Sequence, residues 1–509
     1  MICFIPHAMC YFSKSIMFAD KKNFLRSIDD TGIPVIYKEI TYSFPYYVYE
    51  HFSSPNSVLF ESIKGTECIA RYSFIGFDPL IILKTKNLLT EITSKTAIEK
   101  CNQKPLSILK NILFKYPQKP NNQLPPFQGG FAGMFGYDFV QYFEKLPRNA
   151  LDDLYIPDAH FMLFDKVIAF DHKMKKCWII ASPGVDKFLF DKNSISTIDW
   201  SEEFDISEFQ IQEIEKRILS NKNRIYICPD KRGRKIEIIY EMTRKEYMDI
   251  VKRAKDYIAA GDIFQANLSQ RVSAHIEDKN TFEIYKILRS INPSPFAAYA
   301  DFGNYIIISS SPERLVKVRN HIIETRPIAG TRPRGKTLNE DEEMRAELLL
   351  NEKERAEHIM LIDLERNDLG RVSEYGTVKV NEMMITEDYS HVIHIVSNIK
   401  GELVRTKDCF DVVRATFPGG TITGVPKVRC MEIIDELEPV RRGPYTGSLG
   451  YIGFFGNMDL NIIIRTFVIK DNIAYVQAGA GIVADSDPER EYFETLKKAE
   501  ALIKTLELV

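Results

Sequence analysis

The chain has 509 residues, a length that allows two or three domains and a core large enough to enclose a pocket away from water. With 45% hydrophobic and 27% charged residues it is not a disordered chain, and 67 basic against 70 acidic side chains (net −3) give no basic surplus for nucleic acid. No apolar run approaches the roughly 18 residues of a membrane span, so no membrane partner is expected.

The N-terminal stretch MICFIPHAMCYFSKSI is apolar but lacks a basic start and a small-residue cleavage site, so it reads as an extension (residues 1–24) and not as a signal peptide, with Met17 as an alternative start. Eight cysteines (Cys3, Cys10, Cys68, Cys101, Cys177, Cys228, Cys409, Cys430) are scattered without a CxxC pair or zinc spacing. That usage predicts reduced thiols in a cytoplasmic protein. From 25 to 191, short β-rich runs such as 57–60, 72–75 and 166–170 alternate with turn residues. Residues 192–240 turn polar and charged, ending in the basic cluster 229–235, and read as a linker with a solvated loop.

The remainder, 241–509, opens with a helix over 243–260 stopped by Gly261. Strands are expected at 297–300, 305–309 and 315–318, then one long charged helix over 338–364. Glycine-rich strands at 447–455 and 460–469, a strand at 473–477 and an apolar-periodic helix over 488–506 complete the chain. Strands and helices without regular βαβ alternation predict an α+β fold. Gly130, Gly133 and Gly136 share a spacing with Gly450, Gly453 and Gly456, which suits bent strands needing close backbone approach.

Four carboxylates stand out. Glu354 and Glu357 lie three apart on one helix; Glu491 and Glu494 repeat the spacing on the last, with Lys498 a turn beyond. If the two faces converge they offer oxygens to a hard cation such as magnesium, which keeps water and substrate in its shell; otherwise they are solvated surfaces. Gly479-Ala480-Gly481 reads as a loop after a strand, able to present N–H groups to a carboxylate or simply to turn tightly. Arg465, within an apolar strand, needs an anionic partner, either a substrate carboxylate or a structural acid. His394 is either a satisfied core histidine or a site residue. The segment 325–335, with three arginines, suggests an anion-facing loop.

Several long motifs in order give these signals a common source. Pro327-Ile-Ala-Gly-Thr-Arg332, Glu357-His-Ile-Met-Leu-Ile-Asp-Leu-Glu-Arg-Asn-Asp368, Phe417-Pro-Gly-Gly-Thr421, Gly424-Val-Pro-Lys427 and Ala478-Gly-Ala-Gly-Ile-Val-Ala-Asp-Ser486 resemble the chorismate-utilising enzymes, and within them the large subunits of anthranilate synthases. The resemblance implies antiparallel sheets with helices between them, in two interlaced lobes: a regulatory region (25–191) and a chorismate-binding catalytic domain (241–509). It implies Mg2+ on Glu357 and Glu494, with Glu354 and Glu491 supporting. It places chorismate on Gly330, Thr331, Tyr445, Arg465, Gly479, Ala480, Gly481 and Lys498, His394 and Thr421 near the reacting ring, and Glu313 as the acid that protonates the departing C4 hydroxyl.

Two positions bear on the nucleophile. Gln265 stands where water-adding relatives have a lysine, and glutamine has no useful basicity, which favours ammonia. Ala329 stands where many aminodeoxychorismate synthases have a covalent lysine, which favours attack at C2 and release of anthranilate. The alternatives are an aminodeoxychorismate synthase and, less well supported, a non-catalytic amino-acid-binding homologue. The resemblance also places inhibitory L-tryptophan against Glu61, Ser62, Pro295, Phe296 and Ala297. No cysteine lies in a G-x-C-x-G elbow, so ammonia from glutamine is expected to require a separate amidotransferase subunit in a hetero-oligomer.

Overall fold

A computed structural model describes residues 20–509 except 68, 191–194, 221–235, 278, 336 and 389–391. The first nineteen residues and the basic cluster therefore lie outside the described residues, as do Cys3, Cys10, Cys68 and Cys228; Cys101, Cys177, Cys409 and Cys430 are free thiols.

Two twelve-stranded antiparallel sheets, flanked by helices, form an α+β architecture. Each sheet draws strands from both halves of the chain. In the first, Ser57–Glu61 pairs with Phe296–Asp301; in the second, Gly130–Phe135 pairs with Ser448–Gly453. The lobes are interlaced in this literal sense. In the second pairing Gly130 faces Gly453 and Gly133 faces Gly450, so the two spaced glycine triplets meet across one ladder.

Alternation along the strands builds two cores. Ala132, Met134, Phe164, Ala298, Ala300 and Leu449 face the space between the sheets. Their neighbours Phe131, Phe135, Leu163 and Tyr299 face outward under the helices.

The structure corrects five sequence expectations. The stretch read as a linker contains a 20-residue helix, Trp200–Leu219, capped by Asp199 and burying Trp200, Phe204, Ser207, Ile211 and Ile214. That is a helical stripe, hidden in the sequence by the acidic residues between its apolar positions. The single long helix is two, Leu338–Leu350 and Glu352–Gly370, because Asn351 leaves the helical region (ψ 108°) and turns its side chain to cap the Glu354 N–H. The strand expected over 460–469 is broken into Met458–Asn461, in the second sheet, and Thr466–Lys470, in the first; between them the chain crosses from sheet to sheet. Gly479-Ala480-Gly481 is not a loop but lies within Ile473–Ile482, paired with Gln265–His275. The arginine-rich segment is also stranded, and its arginines are spent on acids: Arg326 on Glu382 and Glu387, Arg332 on Glu347 and Glu354, Arg334 on Asp341.

Candidate active site

Two sheet crossings lie side by side and carry the polar centre of the molecule. Pro312-Glu313 joins Ile306–Ser311 of the first sheet to Arg314–Arg319 of the second; residues 462–465 return from the second to the first. The crossings are stitched together: the Ile462 N–H donates to the Glu313 carbonyl at 3.0 Å, and the Ser310 N–H to the Arg465 carbonyl at 3.1 Å. A side chain at such a crossing is not committed to either sheet face, which frees both Glu313 and Arg465 to serve a pocket.

Glu313 is 6% exposed, and burial pushes its carboxyl up to about 7. The Thr421 hydroxyl donates to its Oε1 at 2.9 Å, and the Ile328 N–H also bonds the carboxyl; both pull the other way, and burial wins. The result is an acid that keeps its proton near neutrality. His394 is pulled down to about 4 by burial and is therefore a neutral imidazole. Its Nδ1 is 3.0 Å from the Gly330 carbonyl and 3.0 Å from the Thr331 hydroxyl. A carbonyl only accepts, so Nδ1 carries the proton and Nε2 the lone pair.

Arg465 adopts a left-handed backbone (φ 53°), and among the described residues no carboxylate pairs with its guanidinium. Burial draws its pKa below the ordinary value, against the influence of nearby Tyr445. An unpaired, desolvated guanidinium is a site for an anion. Close by, glycine is required on the Ile473–Ile482 strand: a Cβ on Gly479 would be driven into the Asn267 amide oxygen and lie 2.8 Å from the Tyr445 hydroxyl, and one on Gly481 would strike the Gln265 amide. Lys498 reaches this strand, donating to the Gly479 carbonyl at 3.0 Å while pairing with Glu494 at 2.8 Å. Ala480 packs into the core between these glycines and is fully buried.

The helices Glu352–Gly370 and Pro488–Glu507 bring their acids together over this strand. Burial raises Glu357, the Gln265 amide (3.1 Å to Oε1) opposes, and the charge of Glu494 adds to the rise. Burial likewise raises Glu491, with the Ser486 hydroxyl opposing and Glu494 adding. Buried carboxylates raised by a neighbouring carboxylate charge in this way are relieved by a cation. Among the described residues no three His, Cys, Asp or Glu side chains form a metal cage by themselves. A magnesium ion, which takes one or two protein carboxylates and completes its shell with water and substrate oxygens, still fits Glu357 and Glu494. Glu354 is set differently: it pairs with Arg332 at 2.6 Å, leaves its buried Oε2 without a hydrogen bond, and sits against Gly330, whose φ of 61° and lack of Cβ make room for it.

One residue that sequence reasoning passed over belongs here. Glu365, two turns beyond Glu357, receives a 2.6 Å hydrogen bond from Thr325, and burial lifts its pKa well above the carboxylate range, helped by the charge of Glu313. It lies inside a quoted motif, but an acid on a charged helix gives no sign that it is buried.

The five residues expected to hold tryptophan are elsewhere and together. Glu61, Ser62, Pro295, Phe296 and Ala297 line a cavity of about 520 Å³ between the two sheets, which the acidic cluster does not touch. The Glu61 carboxylate is not free to meet an ammonium group, since Arg289 grips both its oxygens (2.8 and 2.9 Å) and the Tyr285 hydroxyl adds a third bond. Ser62 donates to the Pro295 carbonyl at 3.1 Å.

Crossed sheets carrying a buried acid, a neutral imidazole, an unpaired guanidinium and paired acidic helices define a protein that holds a small polyanion for acid–base chemistry. The sequence profile of the chorismate binding enzymes matches residues 56–504, and the chain belongs to that family. It is 45% identical over 454 residues to "Anthranilate synthase component 1" of Acetivibrio thermocellus, covering 88% of this chain and 90% of that one. It is 43% identical over 456 residues to "Aminodeoxychorismate synthase component 1" of Bacillus subtilis (strain 168), covering 90% and 93%. The crystal structure of anthranilate synthase component I from Streptococcus pneumoniae TIGR4 superposes with a TM-score of 0.74 at 35% identity, over 85% of this chain and 92% of that one. Among the described residues no helix is long and apolar enough to cross a membrane.

Proposed function

We propose that the chain is a chorismate-aminating lyase of the anthranilate synthase component I type: chorismate and ammonia give anthranilate, pyruvate and water. The observation that carries this reading is the buried Glu313 carboxyl, raised to about 7, on the sheet crossing bonded to the one that carries unpaired Arg465. Arg465, the side-chain-free strand at Gly479 and Gly481, Tyr445 and Lys498 bind the two carboxylates of the substrate; Gly330 and Thr331 border the ring. Ammonia adds at C2, the ring double bonds shift, and the C4 hydroxyl leaves as water with the proton from Glu313, which Thr421 orients. Loss of the C2 proton and of the enolpyruvyl group then restores aromaticity. That step needs a base, and neutral His394 supplies a lone pair. Magnesium on Glu357 and Glu494, when bound, neutralises the ring carboxylate and fixes its place.

Gln265 adds no basicity and is held by its bond to Glu357, which suits a nucleophile that needs no activation. Ala329, opposite Ile395 in the strand ladder, offers no amine for a covalent route to the C4 product. The cavity between the sheets suits L-tryptophan as a feedback ligand, its indole against Pro295 and Phe296. The cytoplasm and a separate glutamine amidotransferase partner complete the proposal. The test is incubation of the purified chain with chorismate, magnesium and either ammonium or glutamine. Fluorescent anthranilate from ammonium, abolished by EDTA and absent with glutamine alone, is expected. Accumulation of aminodeoxychorismate would select the other branch.

A further inference from the structure

The cavity between the sheets and the acid at the crossing share a wall. Arg314 follows Glu313 directly, yet Arg314 lines the cavity and Glu313 does not. The Arg314 guanidinium, 4% exposed, donates from Nε and Nη2 to the two oxygens of Asp459 at 2.8 and 3.0 Å. On its other side it lies 5.2 Å from the ring centre of Phe296, which belongs to the opposite sheet. Asp459 in turn sits on Met458–Asn461, the strand that runs on into the crossing that carries Arg465.

The ladder is irregular here. Arg314 pairs with Asn461 but Val316 with Leu460, so an extra residue is accommodated beside the ion pair. Such bulges re-aim neighbouring side chains. The pair therefore pins the ends of both sheet crossings, one leading to the acid and the other to the guanidinium that faces the substrate.

We propose that Arg314 is a positioning residue: its fork onto Asp459 sets Glu313 and Arg465 for chorismate, and an aromatic amino acid seated against Phe296 slows the reaction by disturbing that fork. The second half rests on the reading of the cavity as a tryptophan site. A ligand that moves the Phe296 ring meets the guanidinium next, and the guanidinium cannot shift without pulling on strands that end at the reacting groups.

The test uses the full chain with ammonium as the amine. The double variant Arg314→Gln with Asp459→Asn leaves no buried charge unpaired, and Arg314→Lys keeps the charge without the two-pronged geometry. Expected for the double variant is a kcat lowered about tenfold or more with a displaced pH profile, because small misplacements of reacting groups are costly. Calorimetric binding of L-tryptophan should stay within about threefold of the parent while the concentration that halves the rate rises about tenfold or more. Arg314→Lys should lie between. A double variant with the parent's kcat, pH profile and inhibition overturns the proposal. If the parent neither binds tryptophan nor is inhibited, the reading of the cavity is what fails and the coupling falls with it. The positioning role is then decided by kcat and the pH profile alone.

Discussion

Replacing Glu313 by glutamine should make the protein slower and, above neutrality, more stable. Holding this carboxyl at about 7, against an ordinary 4.5, means that the folded state binds a proton more tightly than the unfolded chain. Below about pH 4.5 both states are protonated and burial of the group carries no ionisation penalty. Between there and about 7 the unfolded chain releases the proton while the folded one holds it, and stability declines. At about 1.4 kcal/mol per pH unit the full penalty is about 3 kcal/mol. Glutamine has no proton to lose, so the stability of Glu313→Gln relative to the parent should rise by about 3 kcal/mol from about pH 4 to about pH 8. Urea unfolding followed by intrinsic fluorescence at both pH values measures this. The same variant should lose about 10²- to 10⁴-fold in kcat, the usual worth of a general acid, together with the fall in rate expected of the parent above about pH 7. A stability difference independent of pH, or a rate within tenfold of the parent, would refute the assignment.

Other expectations follow from the strand and crossing beside it. Gly479→Ala or Gly481→Ala should cost about 1–3 kcal/mol in overpacking and raise the chorismate KM in steady-state assays, since the added methyl meets Asn267 and Tyr445 or Gln265. Arg465→Met should weaken chorismate by about 1.5–3 kcal/mol, roughly 10- to 100-fold in KM, the range for a hydrogen bond to a charged group. It should not lower the unfolding temperature, because the arginine is desolvated without a partner.

What the sequence disclosed is what short-range periodicity encodes. The i, i+3 acid pairs are on helices, the Thr243-x-x-Glu246 capping box starts Arg244–Ala259, and the terminal helix runs Pro488–Glu507. The break at Asn351 was also written there, as Asn-x-x-Glu, but a continuous run of charges masked it. Arg465 was harder. Its strand reads as one apolar run, and only the pairing of its two halves with different sheets shows a crossing with a left-handed residue at its end. Likewise, no local pattern tells that Glu61 would be gripped by Arg289, 228 residues away, or that the arginines of 325–335 would find acids. Those are tertiary facts.

Because Phe296–Asp301 leans on Ser57–Glu61 and Ser448–Gly453 on Gly130–Phe135, a fragment starting near residue 241 would be left with two raw sheet margins. Unsheltered margins of that kind invite sticking between molecules. Neither evolution nor a protein engineer can therefore shed the N-terminal half and leave the two sheets of the remainder intact.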